Sequence, residues 1–280
     1  MSGAALSFHL VDRIVELEPE RRARGTLAIP VGMSGFPACL VVEAIGQLAA
    51  WVAMLRADFE SRPVAARTGD VRLHGRALPG SVLDLEVDIQ SCKRIAVAYS
   101  GRAHRDGELI VELERSAGAM VPMSEFEDPA EARDRFDRLR GPGLPPRSFP
   151  SPEHFGPRLE SVEIEPGRIA RAGLVAAPPG PLYADHFPRR PVYPATLLLD
   201  AQIGLAARLI AAADVGSQRP LREAVRVRDI RVRAFTPPGG RVDVIAEVSD
   251  AGREPDGDAE VQLTATAGDQ RISTATVVIR

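Results

Sequence analysis

One stretch of the chain, His186-Phe187-Pro188-Arg189-Arg190-Pro191-Val192-Tyr193-Pro194, sets a histidine in a loop punctuated by prolines. The apolar run Ala195-Thr196-Leu197-Leu198-Leu199 follows, and Asp200 sits at its end, fourteen positions after the histidine. Histidine titrates near neutrality and suits a general base. A carboxyl inside an apolar helix is disfavoured in its charged form, so it holds a proton it can donate. A second such acid, Glu43, lies in the apolar stretch Ala38–Leu55. Gln47 is four residues on and shares its helical face, close enough to hydrogen-bond and orient the carboxyl. A base and a protonated acid together can remove a proton from one carbon and a hydroxyl from its neighbour.

The pattern His-Phe-Pro-x-x-Pro-Val-x-Pro, with its acid at that spacing, resembles the signature of the 3-hydroxyacyl-ACP dehydratases of fatty-acid synthesis. It departs at Ala195, where that family usually has glycine. Phe8–Glu18 is also similar to the family's opening strand. The resemblance implies an α+β hot-dog fold, a curved antiparallel sheet wrapped around one long buried helix. It also implies active sites built across a dimer, histidine from one hot dog and acid from the other. The order of parts is the reverse of that in the dehydratase domains of modular polyketide synthases, which the chain otherwise resembles.

The elements that must position these residues are written twice. Pro37 matches Pro194, Glu43 matches Asp200, and Pro79-Gly80 matches Pro238-Gly239 with a small change of length. Each proline opens a helix that is apolar nearly all round and therefore buried, Ala38–Leu55 in one half and Ala195–Ala213 in the other. The first half reads as strands at Phe8–Glu18, Arg24–Ile29, Asp70–Leu78, Ser81–Ser91, Ile95–His104 and Glu108–Met120. Two strands within Leu159–Ala177 open the second half, followed by Glu223–Thr236, Arg241–Ser249, Ala259–Ala267 and Gln270–Arg280. Between the halves the composition shifts: Glu127–Leu139 suits a short charged helix, and Gly141–Pro157, rich in proline and glycine, reads as a linker without regular structure. The expected organisation is a double hot dog, with units at 1–122 and 159–280 joined by a linker at 123–158. A tandem of this kind is a pseudo-dimer within one chain, which can still associate further.

Carried across this repeat at constant offset, the position of His186 falls on Ile29 in the first half. The family's cross-dimer arrangement then pairs His186 with Glu43, supported by Gln47, in a single complete site. Asp200, with Gly204 where Gln47 has its counterpart, is expected as a relic or a minor helper. Backbone N–H groups around Ala195, at the helix start, would polarise the thioester carbonyl. His9, His74, His104 and His154 carry no motif. Arg189 and Arg190 are placed to meet the phosphate of a carrier-protein arm. The implied activity is loss of water from a 3-hydroxyacyl thioester, with acyl carrier protein or CoA as the partner and no cofactor or metal. A hot-dog acyl thioesterase and a non-catalytic acyl-binding subunit are the competing readings.

Composition narrows the remainder. A net charge of −3 over 280 residues leaves no footprint for nucleic acid. Two cysteines, Cys39 and Cys92, make neither a disulfide framework nor a metal cluster. The first ten residues lack the basic start and long apolar core of a signal peptide, and Glu43 and Gln47 interrupt the longest apolar run. A cytoplasmic location is expected, with no membrane partner.

Overall fold

Proline sets where both long helices begin. Helix α1 (Ala38–Arg56) starts directly after Pro37, and the second long helix, α3 (Ala195–Ala213), directly after Pro194. In a helix's first turn the missing N–H of proline leaves no intrahelical bond unmade. The computed structural model describes residues 8–33, 35–144, 158–213, 223–253 and 258–280. By length and composition alone both helices could cross a membrane, but here the strands wrap them. Leu40, Val41, Ala44, Ile45, Leu48, Ala49 and Val52 of α1 are all buried.

Six strands enclose each helix. The first half holds β1 (Arg13–Glu18), β2 (Arg22–Ala28), β3 (Ser61–Leu73), β4 (Val82–Lys93), β5 (Ala96–Arg105) and β6 (Glu108–Pro122). The second holds β7 (Arg158–Glu165), β8 (Ile169–Val175), β9 (Ala224–Val232), β10 (Arg241–Arg253), β11 (Ala259–Ala267) and β12 (Gln270–Ile279). Alternation chooses the inward face, as in β4, where Leu83, Leu85 and Val87 are buried and the residues between them are not. Gly101 of β5 lets α1 close onto the sheet. A Cβ there would stand 2.3 Å from the Ile45 side chain and 2.7 Å from the Glu86 carbonyl.

All strand pairings are antiparallel, in the order β1-β2-β4-β5-β6-β3-β9-β12-β11-β10-β8-β7. The order mirrors about the β3–β9 seam, so two hot dogs join edge to edge and neither presents an open central strand. At the seam Thr68 faces Ile230 and Asp70 faces Arg228. The buried carboxylate of Asp70 accepts two 2.7 Å hydrogen bonds from Arg226, across the halves, and Arg72 lies at 3.2 Å. Arg226 holds the Asp70 carboxyl below its ordinary pKa.

Three expectations change. Strand β3 begins at Ser61 rather than Asp70, because its first residues gain their ladder from β6, Ser61 facing Pro122 and Val64 facing Ala119. The stretch 123–158 is not wholly a linker outside the core. Helix α2 (Pro129–Arg140), capped by Asp128, buries Ala132, Phe136 and Leu139, and Phe136 packs against Trp51 and Phe59. Of the proline- and glycine-rich segment, Gly141–Leu144 form neither helix nor strand, and the remainder, with His154, lies outside the described residues.

The third change concerns the repeat itself. Ile29 donates its N–H to the Ser81 carbonyl, and the residue making the matching bond, to Gly240, is Ala176. The strand ladders agree, since Ala28 faces Val82 and Val175 faces Arg241, although the N–H of Gly80 bonds Ile29 while that of Gly239 reaches one residue further, to Ala177. Register is regained just before the helices, where Phe36 bridges Ala77 and Tyr193 bridges Thr236. The connection from strand to helix therefore runs over residues 29–37 in the first half and 176–194 in the second. His186 lies on ten additional residues with no first-half counterpart, and Ile29 corresponds to Ala176.

Candidate active site

Helix α1 carries Glu43, the candidate acid. Val42, Glu43, Gly46, Gln47, Ala50, Trp51 and Met54 recur at helical spacing and line a cavity of about 180 Å³. The Glu43 carboxyl accepts a 3.2 Å hydrogen bond from the Gln47 amide on its own helix. It accepts another at 3.1 Å from the hydroxyl of Thr196, in the first turn of α3. Burial raises the Glu43 pKa, and the two donors and Arg62 oppose that shift without cancelling it. The group is thus biased toward its protonated form, while the donors that would stabilise its carboxylate are already in place.

The long connection carries His186, the candidate base. Its turn returns the Val192 carbonyl to His186 Nδ1 at 2.9 Å. A carbonyl can only accept, so Nδ1 carries the proton and Nε2 keeps its lone pair. Burial pushes the pKa of His186 down to about 4, helped by Arg62, so the ring is neutral near pH 7. Phe187 stacks on the imidazole at 4.4 Å and Phe8 meets its edge at 4.8 Å. His186 and Glu43 line the same cavity, one from each half, with Ala195 beside them. Ala195 is the first residue of α3, so geometry gives its N–H no intrahelical acceptor.

The first half grips the histidine loop from two sides. At the N-terminal end, Phe8 N–H bonds both carboxylate oxygens of Asp185 at 2.9 and 3.0 Å, and His9 Nε2 lies 3.5 Å from the same carboxylate. The next residues tie to the acid's support: Gln47 accepts from Leu10 N–H at 2.8 Å and donates to the Phe8 carbonyl at 3.0 Å. One short segment thus connects the residue that orients Glu43 with the loop that carries His186. On the other side, Arg189 donates its N–H to the Phe126 carbonyl and its guanidinium to Ser124 and Asp128, and Arg190 pairs with Glu125 at 3.6 Å. Phe126 packs edge-on against Phe187 and Phe235. The two arginines expected to meet a carrier phosphate fasten this loop to the segment after β6.

Asp200 stands apart. It does not line this cavity. Its partner is the Cys39 thiol, in the first turn of α1, and burial pushes its pKa up to about 6. Cys39 and Thr196 are pseudo-symmetric, so the two acids have matching cross-half partners, but only Glu43 also has a glutamine and a histidine. Gly204, at the Gln47 position, is exposed. Thr196, Asp185 and Phe8 were not singled out by their residue types. The one signal available for Thr196 was its place one residue after Ala195, matching Cys39 after Ala38.

A model described as a FabA-like domain matches residues 4–114. The chain is 34% identical over 122 residues to a 3-hydroxyacyl-[acyl-carrier-protein] dehydratase FabZ of Syntrophotalea carbinolica, covering 39% of this chain and 83% of that protein. A FabZ from a Geobacillus strain is 37% identical over 119 residues, covering 38% and 81%. Among solved structures, the dehydratase domain of PpsC from Mycobacterium tuberculosis aligns with a TM-score of 0.56 at 15% identity, covering 98% of each chain. The 12:0-ACP thioesterase of Umbellularia californica aligns at 0.53 and 13%, covering 92% of this chain and 94% of that one. At such identities the structures speak for the fold alone, a double hot dog. Taken with the FabZ relatives, they place the chain in the hot-dog family of 3-hydroxyacyl-[acyl-carrier-protein] dehydratases.

Proposed function

We propose that the chain removes water from a 3-hydroxyacyl thioester to give the trans-2-enoyl thioester, in one site between its two halves. The observation that carries this is a neutral histidine with Nδ1 tied to Val192, in one cavity with a buried acid whose pKa is raised. His186 Nε2 takes the proton from the carbon next to the thioester carbonyl. That electron pair forms the new C=C bond, the C–O bond to the 3-hydroxyl breaks, and Glu43 protonates the leaving oxygen to give water. His186 ends protonated and Glu43 ionised, with Gln47 and Thr196 donating to the new carboxylate, and transfer of that proton back to Glu43 resets the pair. First-turn N–H groups of α3 around Ala195 polarise the carbonyl meanwhile.

The units 1–122 and 159–280, joined by 123–158, are proposed as the two hot dogs that share this site. The proposed substrate is carried on acyl carrier protein or on CoA, and the proposed location is cytoplasmic. The required states set the pH dependence. Activity falls as His186 protonates near pH 4, and falls again as rising pH removes the proton of Glu43, whose pKa burial raises. The purified chain with a 3-hydroxyacyl pantetheine thioester should show enoyl thioester absorbance approaching equilibrium, without release of free thiol. Thiol release without enoyl formation would make it a thioesterase, and neither signal would make it a binding subunit.

A further inference from the structure

The cavity beyond the acid–base pair is not uniformly apolar. Arg62 of β3 and Arg135 of α2 share the single carboxylate of Glu127, Nη1 to oxygen at 2.5 and 2.9 Å. Their side chains are 13% and 15% exposed and that of Glu127 only 3%. All three line the cavity that holds His186 and Glu43. Two guanidinium groups against one carboxylate leave a surplus positive charge in the wall. Arg62 Nε, moreover, is buried without a hydrogen-bond partner.

The other acids lining the cavity have hydrogen-bond partners of their own. Glu43 accepts from Gln47 and Thr196, and Asp185 is engaged by Phe8 N–H and His9. Burying an unmatched charge against a plain alkyl chain is costly, and an idle buried donor adds to that cost. A guanidinium fork instead suits the two oxygens of a carboxylate. Arg62 also lies over the Phe187 ring, 4.1 Å from its centroid, and that ring stacks on His186. The group it meets is therefore close to the reacting carbons. The phosphate of a phosphopantetheine arm, at the far end of that arm, is a poorer fit.

We infer that the Arg62–Glu127–Arg135 wall is a specificity site for acyl chains that carry an ionised carboxylate a few carbons beyond the reacting centre, with Trp51, Met54 and Val64 flanking the methylenes. This rests on the acyl-thioester reading above and names its substrate class. The test compares 3-hydroxyacyl pantetheine thioesters of equal length, ending in methyl or in carboxylate, by calorimetric binding to the full chain. The carboxylate should bind about tenfold tighter, a gap of ~1.4 kcal/mol. Arg62→Met should collapse that preference and Arg62→Lys should keep part of it. Should Arg62→Met fail to fold, Arg135→Met decides, since it leaves Glu127 paired with Arg62 and removes the surplus charge.

A wild-type chain that binds the methyl-ended thioester as tightly, or variants that weaken both ligands alike, would overturn the inference and leave the cluster a structural tie. A gain from the arm's phosphate that Arg62→Met abolishes, with no gain from the acyl carboxylate, would overturn it too. Binding preference without enoyl formation would sink the dehydratase reading and leave this one standing.

Discussion

The two halves differ most between strand and helix. Residues 29–37 cross that gap directly, while 176–194 detour through ten more residues, and the detour carries Asp185 and His186. The helices then divide the remaining work. Helix α1 lends the cavity a stripe running from Val42 to Met54, whereas α3 lends mainly its first turn, with Ala195 and Thr196. The half with the histidine loop thus lacks a glutamine-supported acid, and the half with the supported acid lacks the loop. In the proposed site the parts come from both copies of the repeat. The first half lacks a counterpart of His186 because it lacks the longer connection, not because another residue stands in the histidine's place.

The largest effect expected is that of His186→Ala. Losing a general base typically slows turnover ~100- to 10,000-fold, and a loop truncation leaves little cavity. Steady-state enoyl formation should show that loss with a melting temperature close to wild type. Wild-type turnover would show that the long connection is not what separates the halves functionally.

A smaller effect follows from the N-terminal grip. Asp185→Ala frees Phe8 N–H and loosens the ring edge packed on His186. Small displacements of a reacting group can slow chemistry up to about a hundredfold, so kcat should fall about tenfold while binding of a non-reacting saturated thioester changes little. Equal losses in both would make Asp185 a substrate contact instead.

The smallest effect is on stability, at the other acid. The folded pKa of Asp200 is about 6, above its ordinary 3.8, so the folded state binds its proton more tightly than the unfolded chain. Ionising it therefore weakens the fold progressively from about pH 4 to pH 6, and the full penalty applies above that. Asp200→Asn should stabilise the chain by on the order of 1–2 kcal/mol at pH 7 and hardly at all at pH 4. Melting temperatures at the two pH values check the sign, and a variant less stable than wild type at pH 7 would contradict it.

Much of this was legible in residue order. Proline before an apolar run located both helix starts, and the His-Phe-Pro loop was plain by composition. What escaped depended on contacts distant in sequence. Ser61–Gly69, with Pro63 and Gly69, has weak strand propensity and is held extended by β6. The ion pairs of Arg189 and Arg190 were not visible because Asp128 and Glu125 lie some sixty positions away. Ile29 was matched to His186 because a constant offset cannot show an insertion. Only hydrogen bonds to the turns at Ser81 and Gly240 restore the register.

The central claim is that His186 works with the acid of the other half. The most direct measurement is enoyl thioester formation by Glu43→Gln and Asp200→Asn, assayed side by side on one 3-hydroxyacyl thioester. Glutamine keeps the shape at position 43 and removes the proton donor, so Glu43→Gln should lose turnover ~100-fold or more, while Asp200→Asn should keep most of the wild-type rate. An inactive Asp200→Asn beside an active Glu43→Gln would contradict the account and place the working acid on α3.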